Sequence, residues 1–230
     1  MILVFDLDDT LFDEMDYVRS GFCQVAVYLS PKINISKQDI YSDLLDILKE
    51  NGRGYVFDIY LKSLNLFSKK EVKKILRVYR SHKPNIQLEK SIENLLLRLS
   101  DLAPLYLVTD GNSIVQNNKI ESLGLKRFFK KTFATSSYGI NSAKPSLNCF
   151  SRIKSMENLT AWSDLVYIGD NPKKDFVNLK KVGAVTIRIH RGPYAELVVP
   201  GRFDAEHHLR SLKDLPQLLI KVMPNPKTLR

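Results

Sequence analysis

Cysteine is nearly absent, with two in 230 residues, Cys23 and Cys149. Two thiols close at most one bridge, so no disulfide framework holds this fold. Both lie in apolar surroundings and are expected as buried, reduced thiols. Glycine and proline are sparse at ten each, which excludes collagen-like and low-complexity chains. No internal repeat is present. No apolar run approaches the roughly 20 residues that a bilayer span requires. The opening run Ile2-Leu3-Val4-Phe5 is too short for a secretory signal and lacks a basic flank. It reads as a strand, and the cytoplasm is the expected compartment. Negative charge is also the scarcer sign: 25 acids face 35 lysines and arginines, a net charge of +10. The lysines fall in short clusters such as Lys69-Lys70, Lys73-Lys74 and Lys180-Lys181. That is the pattern of a solvated face, and nucleic acid is not the expected partner.

What the chain does have is apolar material, 44% of its residues, enough for a sizeable core. Ile2 to Phe5, Leu105 to Val108 and Leu165 to Ile168 are continuous apolar runs that stop abruptly at polar or glycine-containing turns. Such runs fit strands buried on both faces of a parallel sheet. Val185 to Ile189 and the weaker Thr132 to Ala134 extend the set. Helical patterns at Ile114 to Leu123, Ser146 to Met156 and Lys173 to Val182 alternate with them. Alternation of this kind predicts a doubly wound, Rossmann-like α/β domain.

The segment between the first two strands reads differently. Helical periodicity covers Asp16 to Leu29, Lys37 to Lys49, Tyr55 to Leu64, Lys69 to Ser81 and Ile92 to Leu99, with breaks at Pro31, Asn51-Gly52-Arg53-Gly54 and Pro84. Ser36 with Asp39 and Ser68 with Glu71 have capping-box spacing. The expected organisation is an α/β core of residues 1–12 and 88–223, an inserted helical module of 13–87, and a frayed tail of 224–230.

Ligands of open α/β sheets sit beyond the carboxyl ends of the strands. Asp6, Thr109 and Asp170 each occupy such an end. In an extended segment Asp6 and Asp8 point the same way, and two like charges there call for a shared cation or proton. Mg²⁺, which takes one or two carboxylates together with water and phosphate oxygens, suits such a pair.

These residues carry a resemblance. Asp6-Leu7-Asp8-Asp9-Thr10, then Thr109 followed by Asp110-Gly111-Asn112, then Lys144-Pro145, then Gly169-Asp170 with Asp175 resemble, in order, the four motifs of the haloacid dehalogenase superfamily. The resemblance implies a phosphatase of a small phosphorylated metabolite, a sugar phosphate or nucleoside monophosphate. Asp6 would be the nucleophile that forms an aspartyl phosphate, and Asp8 the acid and base. Mg²⁺ would be held by Asp6, the Asp8 backbone carbonyl and Asp170, with Asp175 acting through water or by orienting Lys144. Thr109, Lys144 and the backbone around Asp110 and Gly111 would bind phosphate. The inserted helices resemble this superfamily's small cap, hinged near Phe12 to Asp16 and Pro84 to Gln87, with Arg53 and Arg19 as candidate substrate contacts. A phosphomutase, or a binding protein on the same scaffold, is the alternative. Asp110, where relatives often carry Asn, adds a negative charge with no evident counterion. His207-His208 and Trp162 read as surface or packing residues.

Overall fold

The computed structural model describes residues 1–222. The expected tail of 224–230 lies outside the described residues. The elements in chain order are β1 (Ile2–Phe5), α1 (Glu14–Ile33), α2 (Lys37–Asn51), α3 (Val56–Ser63), α4 (Lys69–Ser81), α5 (Lys90–Leu102), β2 (Leu105–Thr109), α6 (Ser113–Ser122), β3 (Lys131–Ala134), α7 (Asn148–Met156), β4 (Leu165–Gly169), α8 (Val177–Lys181), β5 (Val185–Ile189), β6 (His207–Leu209) and α9 (Leu215–Val222). The chain divides into two compact units, one of 1–14 with 87–230 and the other of 15–86.

The first unit carries a six-stranded sheet of order β3-β2-β1-β4-β5-β6 with every neighbouring pair parallel. This is the doubly wound fold expected from the alternation of elements. Strands β1, β2 and β4 are buried along their whole length, which explains why they appear in the sequence as unbroken apolar runs. Ile2, Val4, Tyr106, Val108, Tyr167, Phe150 and Phe176 pack into one cluster of the core. Strand order reverses at β1, whose neighbours β2 and β4 come from opposite winding directions. The carboxyl ends of these three strands therefore border the crevice at the topological switch point.

The second unit is helical and has its own core. Val18, Phe22, Val25 and Leu29 of α1 meet Ile40 and Leu44 of α2, Phe57 and Tyr60 of α3, and Ile75 of α4. Ser36 accepts the Asp39 N–H at 3.1 Å and donates to the Asp39 carboxylate at 2.7 Å, while Ser68 accepts the Glu71 N–H at 3.1 Å, so both expected caps form.

Three expectations need correction, and one strand was not foreseen. Pro31 does not end α1, which runs on to Ile33 and stops at Asn34, a left-handed residue (φ 56°) whose N–H reaches the Ser30 carbonyl. Asn tolerates that conformation where most residues resist it. Cys23 is exposed and only Cys149 is buried. The helix expected from Lys173 begins only at Val177, because the chain first folds back in a turn around Asn171. Strand β6 was not expected; it is a three-residue edge strand whose two histidines lack strand character.

Asp9, without a chemical role in the sequence reading, has a structural one. Its Oδ1 accepts the Glu14 N–H at 3.1 Å, tying down the first turn of α1. Gly192, at φ 64°, lies so close that a Cβ there would meet the Asp9 carboxyl carbon at 2.4 Å. Gly183, at φ 86°, has open space around it. Gly183→Ala should therefore cost only left-handed strain, about 1–2 kcal/mol. Gly192→Ala adds the displacement of Asp9 and should cost about 3 kcal/mol or more. Urea midpoints at equal slope measure the difference, and equal losses would contradict the role of Asp9.

Candidate active site

The three strand ends at the switch point deliver Asp6, Thr109 and Asp170, all buried. Asp6 continues the sheet beyond β1, its N–H donating to the Ile168 carbonyl at 2.8 Å, and its Oδ1 accepts the Leu7 N–H at 2.8 Å. Its other oxygen, Oδ2, lies 2.7 Å from the ammonium of Lys144. The same ammonium is 2.8 Å from Asp175 Oδ1 and donates to the Tyr167 hydroxyl at 2.9 Å, which in turn donates to Asp175 at 3.2 Å. Burial would lower the Lys144 pKa, but Asp175 and Asp6 offset it and hold the pKa well above the usual lysine value.

Asp175 reaches Lys144 through the turn that replaces the first part of the expected helix. Its Oδ2 accepts the Asn171 N–H at 2.9 Å and passes under Gly169, where a Cβ would sit 2.6 Å from that oxygen. Glycine at 169 is required by this close approach.

Asp110 has its counterions. Oδ2 pairs with Lys174 at 3.1 Å, and Oδ1 accepts the Thr135 hydroxyl at 2.8 Å and the Lys144 backbone N–H at 3.1 Å. Burial pushes its pKa up, but Lys144 and Lys174 more than offset this and hold it below the ordinary carboxylate value. The Asp110 side chain is thus a strap on the backbone of Lys144.

Asp8 does not join the carboxylate cluster. Its Oδ1 is 2.7 Å from the buried Lys119 ammonium and its Oδ2 accepts from the Gln116 amide at 2.8 Å. Its carboxylate is therefore engaged with α6.

Carboxylate oxygens of Asp6, Asp170 and Asp175 lie within 4.8 Å of one another, all buried. Asp175 is already satisfied, whereas no described residue donates to the Asp170 carboxylate. Burial, with the charges of Asp6 and Asp175, pushes Asp170 to about 9, and burial lifts Asp6 to about 6 against the pull of Lys144. A buried, donorless carboxylate beside a second one is a hard oxygen site short of positive charge. These residues therefore fit Mg²⁺.

The candidate substrate residues lie in the other unit. Arg53 sits in the exposed turn after α2, donating to the Met15 sulfur at 3.7 Å, and Arg19 is exposed and pairs with Asp16 at 3.0 Å. Sequence reasoning missed Gln116, Lys119, Tyr167 and Lys174. One signal was available: α6 has polar Gln116 and Lys119 buried while Ile114 is exposed, so its apolar periodicity is weak. Tyr167 gave none, because it reads as one more apolar strand residue.

A family model described as haloacid dehalogenase-like hydrolase matches residues 3–189, and the chain belongs to that family of hydrolases. Among relatives, it is 29% identical over 226 residues to a glyceraldehyde 3-phosphate phosphatase of Pyrococcus furiosus, covering 95% of this chain and 91% of the relative. It is 28% identical over 203 residues to the protein of that name from Methanocaldococcus jannaschii, covering 85% and 87%. In fold it resembles the magnesium-bound HAD-hydrolase YfnB of Bacillus subtilis, with a TM-score of 0.67 at 22% identity over 95% of this chain and 97% of that one. A HAD phosphatase of Thermococcus onnurineus matches with a TM-score of 0.59 at 24% identity, covering 95% and 97%. No helix among the described residues is long and apolar enough to cross a membrane.

The raised carboxylates make a pH prediction with a definite sign. Between the ordinary value of 3.8 and about 9, folding keeps a proton on Asp170 that the unfolded chain releases, and Asp6 does the same up to about 6. With metal chelated, stability should therefore fall as pH rises through that window. Mg²⁺ bound at these carboxylates would take the place of the proton, so its stabilising effect should grow with pH. At a hundredfold excess over Kd it adds about 2.7 kcal/mol, a rise in Tm of roughly 5–10 °C. Thermal melts with EDTA or Mg²⁺ at about pH 5 and about pH 8 measure this. An equal Mg²⁺ effect at both pH values, or one retained in Asp170→Asn, would contradict it.

Proposed function

We propose that this protein is a Mg²⁺-dependent phosphatase that hydrolyses a small sugar phosphate monoester through a phosphoryl-Asp6 intermediate. The observation that carries the reading is the buried Asp6 carboxylate at the switch point, paired at 2.7 Å with Lys144 and flanked by the donorless Asp170. Glyceraldehyde 3-phosphate is the first substrate to test, because curated relatives covering most of the chain carry that activity in their names. A cytoplasmic location belongs to the same reading, since two free cysteines suit a reducing compartment.

Asp6 and Asp170 carboxylates and the Asp8 carbonyl would hold Mg²⁺, which when bound neutralises phosphate charge and keeps Asp6 ionised. An Asp6 oxygen attacks phosphorus, the bond from phosphorus to the ester oxygen breaks, and the Asp8 carboxyl gives its proton to that oxygen, releasing the alcohol. Asp8, now a carboxylate, takes a proton from water as the water oxygen attacks the phosphoryl group. The bond from phosphorus to Asp6 breaks, yielding inorganic phosphate and the free Asp6 carboxylate. Lys144 supplies positive charge to the phosphoryl oxygens as charge builds there, and the Thr109 hydroxyl donates to one of them.

A screen of phosphorylated metabolites with phosphate release as readout tests the proposal. Sugar phosphates, with glyceraldehyde 3-phosphate among the best, should be hydrolysed only with Mg²⁺. Asp6→Asn should lower kcat by at least about 10⁴-fold. Turnover near wild type in Asp6→Asn would reject the mechanism. Mg²⁺-dependent turnover confined to a different class of phosphate ester would reject the substrate.

A further inference from the structure

Helix α6 follows the second strand end and buries two polar side chains, Gln116 and Lys119, that no step above uses. They are three residues apart, hence neighbours on one face of the helix. Lys119 is 2% exposed; its ammonium lies 2.7 Å from Asp8 Oδ1 and 3.6 Å from Glu14. Gln116 is 1% exposed, and its amide nitrogen donates both to Asp8 Oδ2 at 2.8 Å and to the Thr109 hydroxyl oxygen. The orientation of that amide is fixed by chemistry. A carboxylate only accepts, so the nitrogen and not the oxygen must face Asp8.

We propose that Gln116 and Lys119 are positioning residues that clamp the Asp8 carboxyl beside the leaving group, Gln116 also aiming the Thr109 hydroxyl at the phosphoryl group. This rests on the phosphatase reading above. A carboxylate offers about four lone-pair sites on two oxygens. One hydrogen bond to each oxygen blocks rotation of the carboxyl and leaves a site on each for the travelling proton. Thr109 accepts from Gln116, so its own O–H is free to point elsewhere as a donor. The single amide thus sets the spacing between the proton donor and the phosphate-binding hydroxyl. Asp8, at a turn and partly exposed, has no other side-chain partner of this kind among the described residues.

The test is a series of phosphate monoesters with Mg²⁺, from dinitrophenyl phosphate, whose leaving group departs without a proton, through phenyl phosphate to an alkyl phosphate. Proton donation is worth about 10²–10⁴-fold where the leaving group needs it. Lys119→Met should lower kcat/KM, which reports the steps through leaving-group departure, by about 10²-fold on the alkyl ester and by less than about threefold on dinitrophenyl phosphate. Gln116→Leu should show the same leaving-group dependence and also weaken inhibition by inorganic phosphate, because it alone touches Thr109. Lys119→Arg, keeping the charge, should recover most of the loss. If Lys119→Met does not fold by circular dichroism, Lys119→Gln is run through the same series.

A uniform loss of kcat/KM across the series, or none, overturns the clamp. Asp8→Asn separates this from failure of the parent reading. If Asp8→Asn loses kcat/KM in proportion to the leaving group's need for a proton and the α6 variants do not, the clamp fails alone. If Asp8→Asn shows no such dependence, the acid role of Asp8 fails, and the clamp with it.

Discussion

The ammonium of Lys144 is buried between Asp6 and Asp175, 2.7 Å from one and 2.8 Å from the other. Charges removed from water cost several kcal/mol each unless partners and hydrogen bonds compensate them. Much of the local architecture supplies that compensation. Tyr167 contributes a hydroxyl to both Lys144 and Asp175, Gly169 leaves room for the Asp175 oxygen, and the turn at Asn171 donates a backbone N–H. Asp110 fixes the Lys144 backbone and is itself balanced by Lys174. Even so, one charge remains uncompensated. Among the described residues Asp170 has no donor, and that deficit is what a divalent cation would remove.

The site therefore separates into two supports on either side of β1. Residues following β4, with Lys144, hold Asp6 and the buried carboxylate cluster. Helix α6, following β2, holds Asp8. A nucleophile and a proton carrier only two residues apart in sequence are thus steadied by different elements. This matters because, in the proposed mechanism, the two groups would do different chemistry on opposite bonds of the same phosphorus.

Most of the core fold was legible because its physics is local. Strands buried on both faces need unbroken apolar runs, and β1, β2 and β4 have them. Polar residues at three strand ends then marked the switch point. Features that depend on distant packing were not legible. Nothing in Leu165 to Gly169 distinguishes Tyr167 as a hydrogen-bonding residue, because its partner Asp175 arrives only through a turn that breaks an apparently good helix. Asp110 looked like a stray charge because Lys174 is remote in sequence. Cys23 looked buried because its neighbours are apolar, but its own position faces solvent. Strand β6 is short, polar and at the edge, where packing and not composition decides.

The central claim is that phosphate passes through Asp6. Rapid acid quenching during turnover of glyceraldehyde 3-phosphate, followed by proteolysis and mass spectrometry, tests it directly. The account predicts one phosphoryl group on the peptide containing Asp6, located on that side chain, labile to hydroxylamine and formed at least as fast as phosphate is released. Steady phosphate release with no phosphoryl group on Asp6, or with one on another residue, would contradict it.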